Sequence, residues 1–435
     1  MFLTIRYLLL ALYSKGDLMG VARKSLIYDN SFDLPSSANQ DLLIGLRLLI
    51  RTLRNIMKGE YCTSDVTHYI IAIDSNQRNR DTHLKYCRLN GLAPFSEMCT
   101  LEDSFNMKNV IGKLRLVVVS FSAFVIVLPF LLGKRRSNYA LCMRYAAIIE
   151  STRLKLKGSK TKIVYDFAAY FNHSNLAALV FKSQGIEVVK VPSIVPLTAH
   201  LSGVIADALM LSTPYQLDEF QYFSQFMRVG RSQQAYPKHA EYLQKYRGQS
   251  IPSVLNCIGY YSHASWIRSK EKHVESQFGL PLQEEILVKY LSSFCFRSNL
   301  KLLIFTHPRE RKIQNRIEVE NHYKRLVEPY VEHQIYFDEL PSSEIFELAE
   351  IGVGTMSSVL FERLLCGFKT LFFTENMKSF PIPNSDIKSI CAIDLITLER
   401  LLQSALGINE RDFFRQKSIA TYKYSSDFYS QPDDV

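Results

Sequence analysis

The sequence predicts an α/β protein of two domains, each a parallel sheet covered by helices on both faces. Three observations lead there. The chain has 435 residues, more than one ordinary hydrophobic core accommodates. Short apolar runs alternate with stretches of helical periodicity along most of its length. The runs are nearly continuous in apolar residues, as strands buried on both faces of a sheet are.

The first half opens with MFLTIRYLLLALYSKG, which is apolar but short, with one early arginine and no small-x-small cleavage pattern. It reads as a buried first element or a weak membrane contact, not a signal peptide. Strand candidates follow at Ser25–Asn30, His68–Ser75, Lys162–Tyr170, Ile186–Ser193 and Ala206–Leu211. DLLIGLRLLIRTLRNIM and NLAALVFKSQ carry helical spacing between them. The run LVVVSFSAFVIVLPFLLG, residues 116–133, is 18 residues long and is followed at once by Lys134, Arg135 and Arg136. A bilayer needs roughly 20 residues to span. Three readings stand open for it: a span with the basic flank on the cytoplasmic side, a shallow dip into a membrane, or a buried core element. The polar stretch RVGRSQQAYPKHAEYLQKYRGQSIP sets an expected boundary near Gln249. The expected domains are therefore 1–249 and 250–410, with a polar tail over 411–435.

The second half has the clearer rhythm. Ser253–Tyr261, Leu300–Pro308, QIYFDE, IGVGT and KTLFF read as strands. A helix after a Gly-Leu-Pro break, a charged helix after Arg309, a short helix in SSEIFELAE and a helix in SSVLFERLLCG lie between them.

Composition bounds the function. Hydrophobic residues make up 47% and charged residues 22%, the balance of a folded chain. The net charge of +10 fits a partner bearing phosphate: nucleic acid, nucleotide or anionic lipid. No nucleic-acid motif accompanies it, so nucleic acid is not an expected partner. The eight cysteines include no Cys-x-x-Cys pair, which argues against a disulfide framework or zinc site and for a reducing cytoplasm. Cys257 and Cys366 sit in apolar runs as small core residues.

Ligands of open α/β sheets bind beyond the carboxyl ends of the strands. Three such ends carry polar residues: Tyr260 to His263, Thr306 to Arg309, and Gly354 to Ser358. Small residues at Gly354 and Thr355 admit a ligand close to the backbone. Ser357 and Ser358 open a helix, where unbonded N–H groups and the dipole favour an anion; the alternative is an ordinary N-cap. His307 follows a strand and precedes Pro308, so its imidazole can donate to a phosphate oxygen. Glu362 lies one turn into the helix, suited to a ribose hydroxyl or to an ion pair. Gly367 ends that helix.

Thr306-His307-Pro308 after a strand, then Gly352-x-Gly354-Thr355-x-Ser357-Ser358 leading a helix that ends at Gly367, resembles the C-terminal domain of GT-B glycosyltransferases. The likeness is to enzymes of bacterial surface polysaccharide such as capsular polysialyltransferases and Kdo transferases. In those a His-Pro pair and a Ser-Ser or Ser-Thr pair hold the nucleotide phosphate of a CMP-sugar. It covers Ile251 to about Leu406 by motif and the first half by rhythm.

The resemblance implies two Rossmann-like domains facing each other across a cleft. It implies nucleotide and phosphate contacts for His307, Ser357 and Ser358; Pro308, Gly354, Thr355, Glu362, Tyr260 and His263, read from the same strand ends and helix, complete the expected donor site. It also implies a nucleotide-sugar substrate, no cofactor or metal, and a glycan or lipid-linked acceptor of capsule or lipopolysaccharide synthesis; the basic surface and the apolar run would hold the enzyme peripherally at the inner face of the plasma membrane. Glycerol-phosphate polymerases of teichoic-acid synthesis use a similar site, so a CDP-glycerol-type transferase is an alternative. A non-catalytic partner subunit is another, because the acidic-acidic-glycine motif of sialyl-transferring relatives has no clear match here. Candidate bases are Asp29, Asp33, Asp74 and Asp166, with Asp166 of VYDFAAYFNHSN favoured. No Asp-x-Asp motif occurs, so a metal-bound sugar diphosphate is not indicated.

Overall fold

The computed structural model describes residues 3–14, 22, 38–58, 68–71, 98–99, 109–133, 138–156, 162–166, 172–190, 205–211, 227–231, 256–270, 281–311, 316–337, 345–355, 357–375, 385–419 and 421. The chain divides into two compact units, with the later change-over between Ser232 and Gln233. Among the described residues each unit holds one six-stranded sheet, and every strand pair is parallel. The α/β class and the two parallel sheets expected from the sequence are what the chain forms.

In the first unit, β1 (His68–Ile71), β2 (Met98–Cys99), β3 (Ile163–Asp166), β4 (Glu187–Lys190), β5 (Ala206–Leu211) and β6 (Met227–Arg231) lie in the order β2-β1-β3-β4-β5-β6. Helices α1 (Leu3–Tyr13), α2 (Ala38–Lys58), α3 (Val110–Leu132), α4 (Asn138–Leu156) and α5 (Asn172–Lys182) accompany it. The core runs from Leu8 and Leu12 of α1 through Ala123 and Val127 of α3 to Val164 of β3 and Phe181 of α5. Under this layer Glu150 is fully buried and accepts from Thr4 Oγ1 at 2.7 Å, while the Arg153 and Arg115 guanidinium groups lie 2.6 and 2.8 Å from it. Two cations and one hydroxyl explain how a carboxylate survives there, and its pKa stays below the usual range despite burial.

The second unit contains β7 (Cys257–Tyr261), β8 (Lys301–Phe305), β9 (His333–Tyr336), β10 (Ile351–Gly354), β11 (Thr370–Phe373) and β12 (Cys391–Ala392), ordered β12-β11-β10-β7-β8-β9. Its helices are α6 (Ser265–Lys270), α7 (Pro281–Arg297), α8 (Arg316–Leu326), α9 (Ser358–Leu365), α10 (Ser385–Lys388), α11 (Leu395–Leu406) and α12 (Glu410–Lys417). Every residue of β7, β10 and β11 is buried, which is why these stretches read as unbroken apolar runs. Helix ends follow local chemistry. Pro281 opens α7, Asp394 caps α11 by accepting from Thr397 N at 2.6 Å, and Gly367 at φ 87° closes α9.

Several elements depart from the sequence reading. Residues 228–231 begin the stretch assigned to a polar linker, yet they belong to β6, which pairs with β5 as an edge strand. Backbone pairing on one side suffices there, and polar side chains do not oppose it. Residues 411–417, expected within a tail, complete α12, capped by Asn409 accepting from Asp412 N. In the described part of SSEIFELAE, residues 345–350, the expected helix is replaced by one 3₁₀ turn, Phe346–Leu348. The Arg363 guanidinium takes the carbonyls of Phe346 and Ala349, which a longer helix would have used itself. Ser25–Asn30, the tail from Lys423, and Asp29, Asp33 and Asp74 lie outside the described residues.

Candidate functional site

Strand order locates the site. From β7 the chain builds outward through β8 and β9, then returns to the other side of β7 for β10, β11 and β12. The crevice at which the order reverses lies between β7 and β10, where open sheets of this kind receive ligands. The three loops singled out in the sequence follow β10, β7 and β8, which are consecutive neighbours. Their register is level: Val353 pairs with Tyr260, and Tyr260 with Ile304. Thr355, Ser262 and Thr306 therefore leave the sheet at the same height, with neighbouring strands about 4.8 Å apart.

On the β10 side, Ser357 is the N-cap of α9 with extended backbone, φ −140° and ψ 140°, and makes no side-chain cap hydrogen bond. The ordinary capping role weighed for this serine is thus not what its hydroxyl does. Ser357 and Ser358 are half-buried, and Thr355 is buried with its hydroxyl unpartnered among the described residues. Glu362 is buried one turn into α9. Gly354 has a packing reason of its own: a Cβ there would stand 2.6 Å from the Tyr261 carbonyl oxygen. Close approach at this glycine is made by the neighbouring strand's backbone.

On the β7 and β8 side, His263 and His307 are neighbours, their ring centroids 6.2 Å apart. The N–H of Arg309 donates to Nδ1 of His307 at 3.1 Å, so the imidazole carries its proton on Nε2, as a donor. Pro308 is exposed in the turn that follows. Thr306 Oγ1 donates to the Tyr336 carbonyl at 2.6 Å, holding the start of this loop to β9.

Two buried carboxylates beneath the histidines were not foreseen. Glu284, in the first turn of α7, accepts from His263 N at 2.6 Å, Ser265 N at 2.7 Å and the Tyr260 hydroxyl at 2.9 Å. Glu310 accepts from His307 N at 2.6 Å, Trp266 Nε1 at 2.7 Å and the Tyr323 hydroxyl at 2.9 Å. Each carboxylate thus fastens the backbone of one histidine. Tyr260 supports this clamp, and its side chain is buried with its hydroxyl committed to Glu284. Burial, aided by the charge of Glu284, pushes the Glu310 carboxyl up to about 7. Burial likewise raises the Tyr260 and Tyr323 hydroxyls, which therefore stay protonated as donors. The signal was present in the sequence: Glu310 lies three residues after His307, and Glu284 follows a helix-opening proline.

In the first unit, Asp166 ends β3 beside β1, where that sheet's order also reverses. It is buried, 4.0 Å from Nζ of Lys190, which itself donates to Asn175 Oδ1 at 2.6 Å. Among the described residues no group of three histidine, cysteine or acidic side chains is placed to hold a metal ion.

No protein-family model matches the chain, and no curated protein is similar to it. Several solved structures are similar to the chain, among them the following three. The wall teichoic acid polymerase TagF is 12% identical, with 89% of this chain and 94% of that one covered and a TM-score of 0.40. The UDP-GlcNAc 2-epimerase of Methanocaldococcus jannaschii is 11% identical, with 84% and 90% covered and a TM-score of 0.41. A glycosyltransferase of Rickettsia africae is 12% identical, with 85% and 96% covered and a TM-score of 0.41. At such identities and scores these likenesses assign neither activity nor ligand, and the fold stands on its own strand order.

Proposed function

We propose that this chain is a metal-independent glycosyltransferase of GT-B type, taking a sugar from a nucleotide donor such as a CMP-sugar to a glycan or lipid-linked acceptor of capsule or lipopolysaccharide synthesis, peripherally at the cytoplasmic face of a membrane. The observation that carries the reading is Ser357. It stands at the start of α9, on the crevice where the sheet order reverses, with no capping bond to its own helix. The α9 dipole, the Ser357 and Ser358 hydroxyls and the His307 Nε2–H would offset charge developing on the leaving phosphate. His263 adds a second imidazole beside it. The acceptor hydroxyl must lose a proton, and Asp166 is the candidate base.

The test is a thermal-shift panel of CMP, CDP, UDP and GDP on the wild type, His307→Ala and Ser358→Ala, followed by turnover with the matching donors. A shift with one nucleotide in the wild type, reduced in both variants, supports the reading. Full donor turnover by both variants would sink the site assignment. Turnover with CDP-glycerol and not with sugar donors would replace it by glycerophosphate transfer. No shift with any nucleotide would favour a non-catalytic partner subunit.

A further inference from the structure

From Leu116 onward helix α3 carries no charged residue on any side, yet only one face is covered. Leu116, Val119, Ser120, Ala123, Val127 and Leu131 are buried against the rest of the unit. On the opposite side Ile111, Leu114, Val118, Phe121 and Val125 follow one another at three- and four-residue steps, Leu132 lies two turns further on, and all six are 38 to 74% exposed. A helix that is hydrophobic all round belongs in a core or in lipid. An exposed apolar stripe running from Ile111 to Val125, resumed at Leu132, is well beyond the scattered apolar residues of ordinary surfaces.

The neighbouring helix says what covers it. α2 packs beside α3 and α4. It runs antiparallel to α3: a Cβ on Gly45 would meet Leu131 at 2.8 Å, and Lys113 Nζ donates to the Met57 carbonyl at 3.2 Å. Its outward side alternates Leu43, Leu46, Ile50 and Met57 with Arg47, Arg51, Arg54 and Lys58, all exposed. The acidic residue of α2, Asp41, is buried, and α3 contains none. The surface on either side of the α2–α3 seam is therefore apolar and cationic, with no exposed acid on either helix.

We propose that the outward faces of α2 and α3 form a docking surface for an anionic phospholipid bilayer, with α3 lying in the interfacial plane and the α2 cations on lipid phosphates. A second copy of the chain fits poorly, because a two-fold contact would bring the arginine row against itself. A span fits poorly too: the inner side of α3 lies over the buried Glu150, to which Arg115 is paired. The proposal rests on the transferase reading only for the lipid-linked nature of the acceptor.

The experiment is flotation of the full chain with vesicles of phosphatidylcholine alone or with added phosphatidylglycerol. The wild type should float with the anionic vesicles, less so in high salt. The pairs Val118→Glu with Phe121→Glu, and Arg47→Glu with Arg51→Glu, should each lower partitioning about ten-fold or more. These positions are exposed, so thermal melts and the nucleotide shift should stay as in the wild type. Wild type left unbound by anionic vesicles, variants that float like the wild type, or a dimer in light scattering that the same substitutions abolish would each overturn the proposal. Flotation without any nucleotide shift would count against the transferase reading alone.

Discussion

A Cβ on Gly352 would lie 2.5 Å from Nε of Arg363 and 2.6 Å from its Cδ. Arg363 is fully buried, and its guanidinium donates to the carbonyls of Phe346, Ala349, Glu350 and Lys369 and to the Tyr261 hydroxyl. The Tyr261, Phe346 and Phe368 rings surround it. The arginine thus fastens α9 to the strand that precedes it and to the 3₁₀ turn before that strand, and Gly352 is small so that it can pass. Gly352→Ala should cost about 1–3 kcal/mol by overpacking. Arg363→Lys should also destabilise, since an ammonium cannot reach so many carbonyls at once. Denaturant midpoints of both variants measure this; unchanged midpoints would remove Arg363 as the anchor of the site helix.

Ser357→Ala separates a cap from a ligand contact. A capping serine costs about 1 kcal/mol when lost. Ser357 makes no such bond, so its removal should change stability by less than about 0.5 kcal/mol. Affinity for the donor nucleotide should still fall about ten-fold, the value of a hydrogen bond to a charged oxygen. Calorimetric titration beside a thermal melt reads both. A destabilised variant with wild-type affinity would return Ser357 to an ordinary capping role.

Glu310 gives the fold a pH dependence whose sign is fixed by its raised pKa. The folded carboxyl holds its proton to about 7, against 4.5 for the ordinary group. Between those values the folded state binds more protons than the unfolded one. The Glu310 contribution is therefore complete below 4.5 and is lost as the pH rises through about 7. Glu310→Gln should flatten the profile, and the stability of the wild type relative to this variant should decline by about 3 kcal/mol across the window. Parallel stability profiles for the two proteins would show that Glu310 is ionised throughout.

Asp166→Asn keeps the size of the side chain and removes its basicity. If Asp166 takes the acceptor's proton, turnover should fall by about 100-fold or more while the nucleotide shift is unchanged. Its neighbour Lys190, buried and bonded to Asn175, offers the other role, that of a structural ion pair. A variant that melts early but turns over normally would establish that one.

Much of the second unit was legible from local pattern. β7, β8, β10 and β11 are unbroken apolar runs because both sheet faces are covered, and such runs need no partner to be recognised. The α9 boundaries were equally legible, from Ser357 at one end and Gly367 at the other. What the pattern missed has a common cause. β6 carries polar side chains and exists through pairing with β5; the turn before β10 is shortened by an arginine that comes after it. Glu284 and Glu310 acquire their partners only when distant segments pack together, through Ser265 and Trp266 of α6 and Tyr323 of α8.

By itself, then, the sequence determined the α/β class, the strands that make the sheet core, and the three strand ends with polar chemistry. These properties are written within a few residues, in periodicity, caps and breakers. Only the tertiary structure decided that β10, β7 and β8 stand side by side and end level, that His263 and His307 meet over two buried carboxylates, and that Gly354 is small for the Tyr261 carbonyl. Those outcomes depend on contacts between residues 20 to more than 100 positions apart, such as His263 with Glu284 and Arg363 with Tyr261. Burial and packing set such contacts, and no local window of the chain contains them.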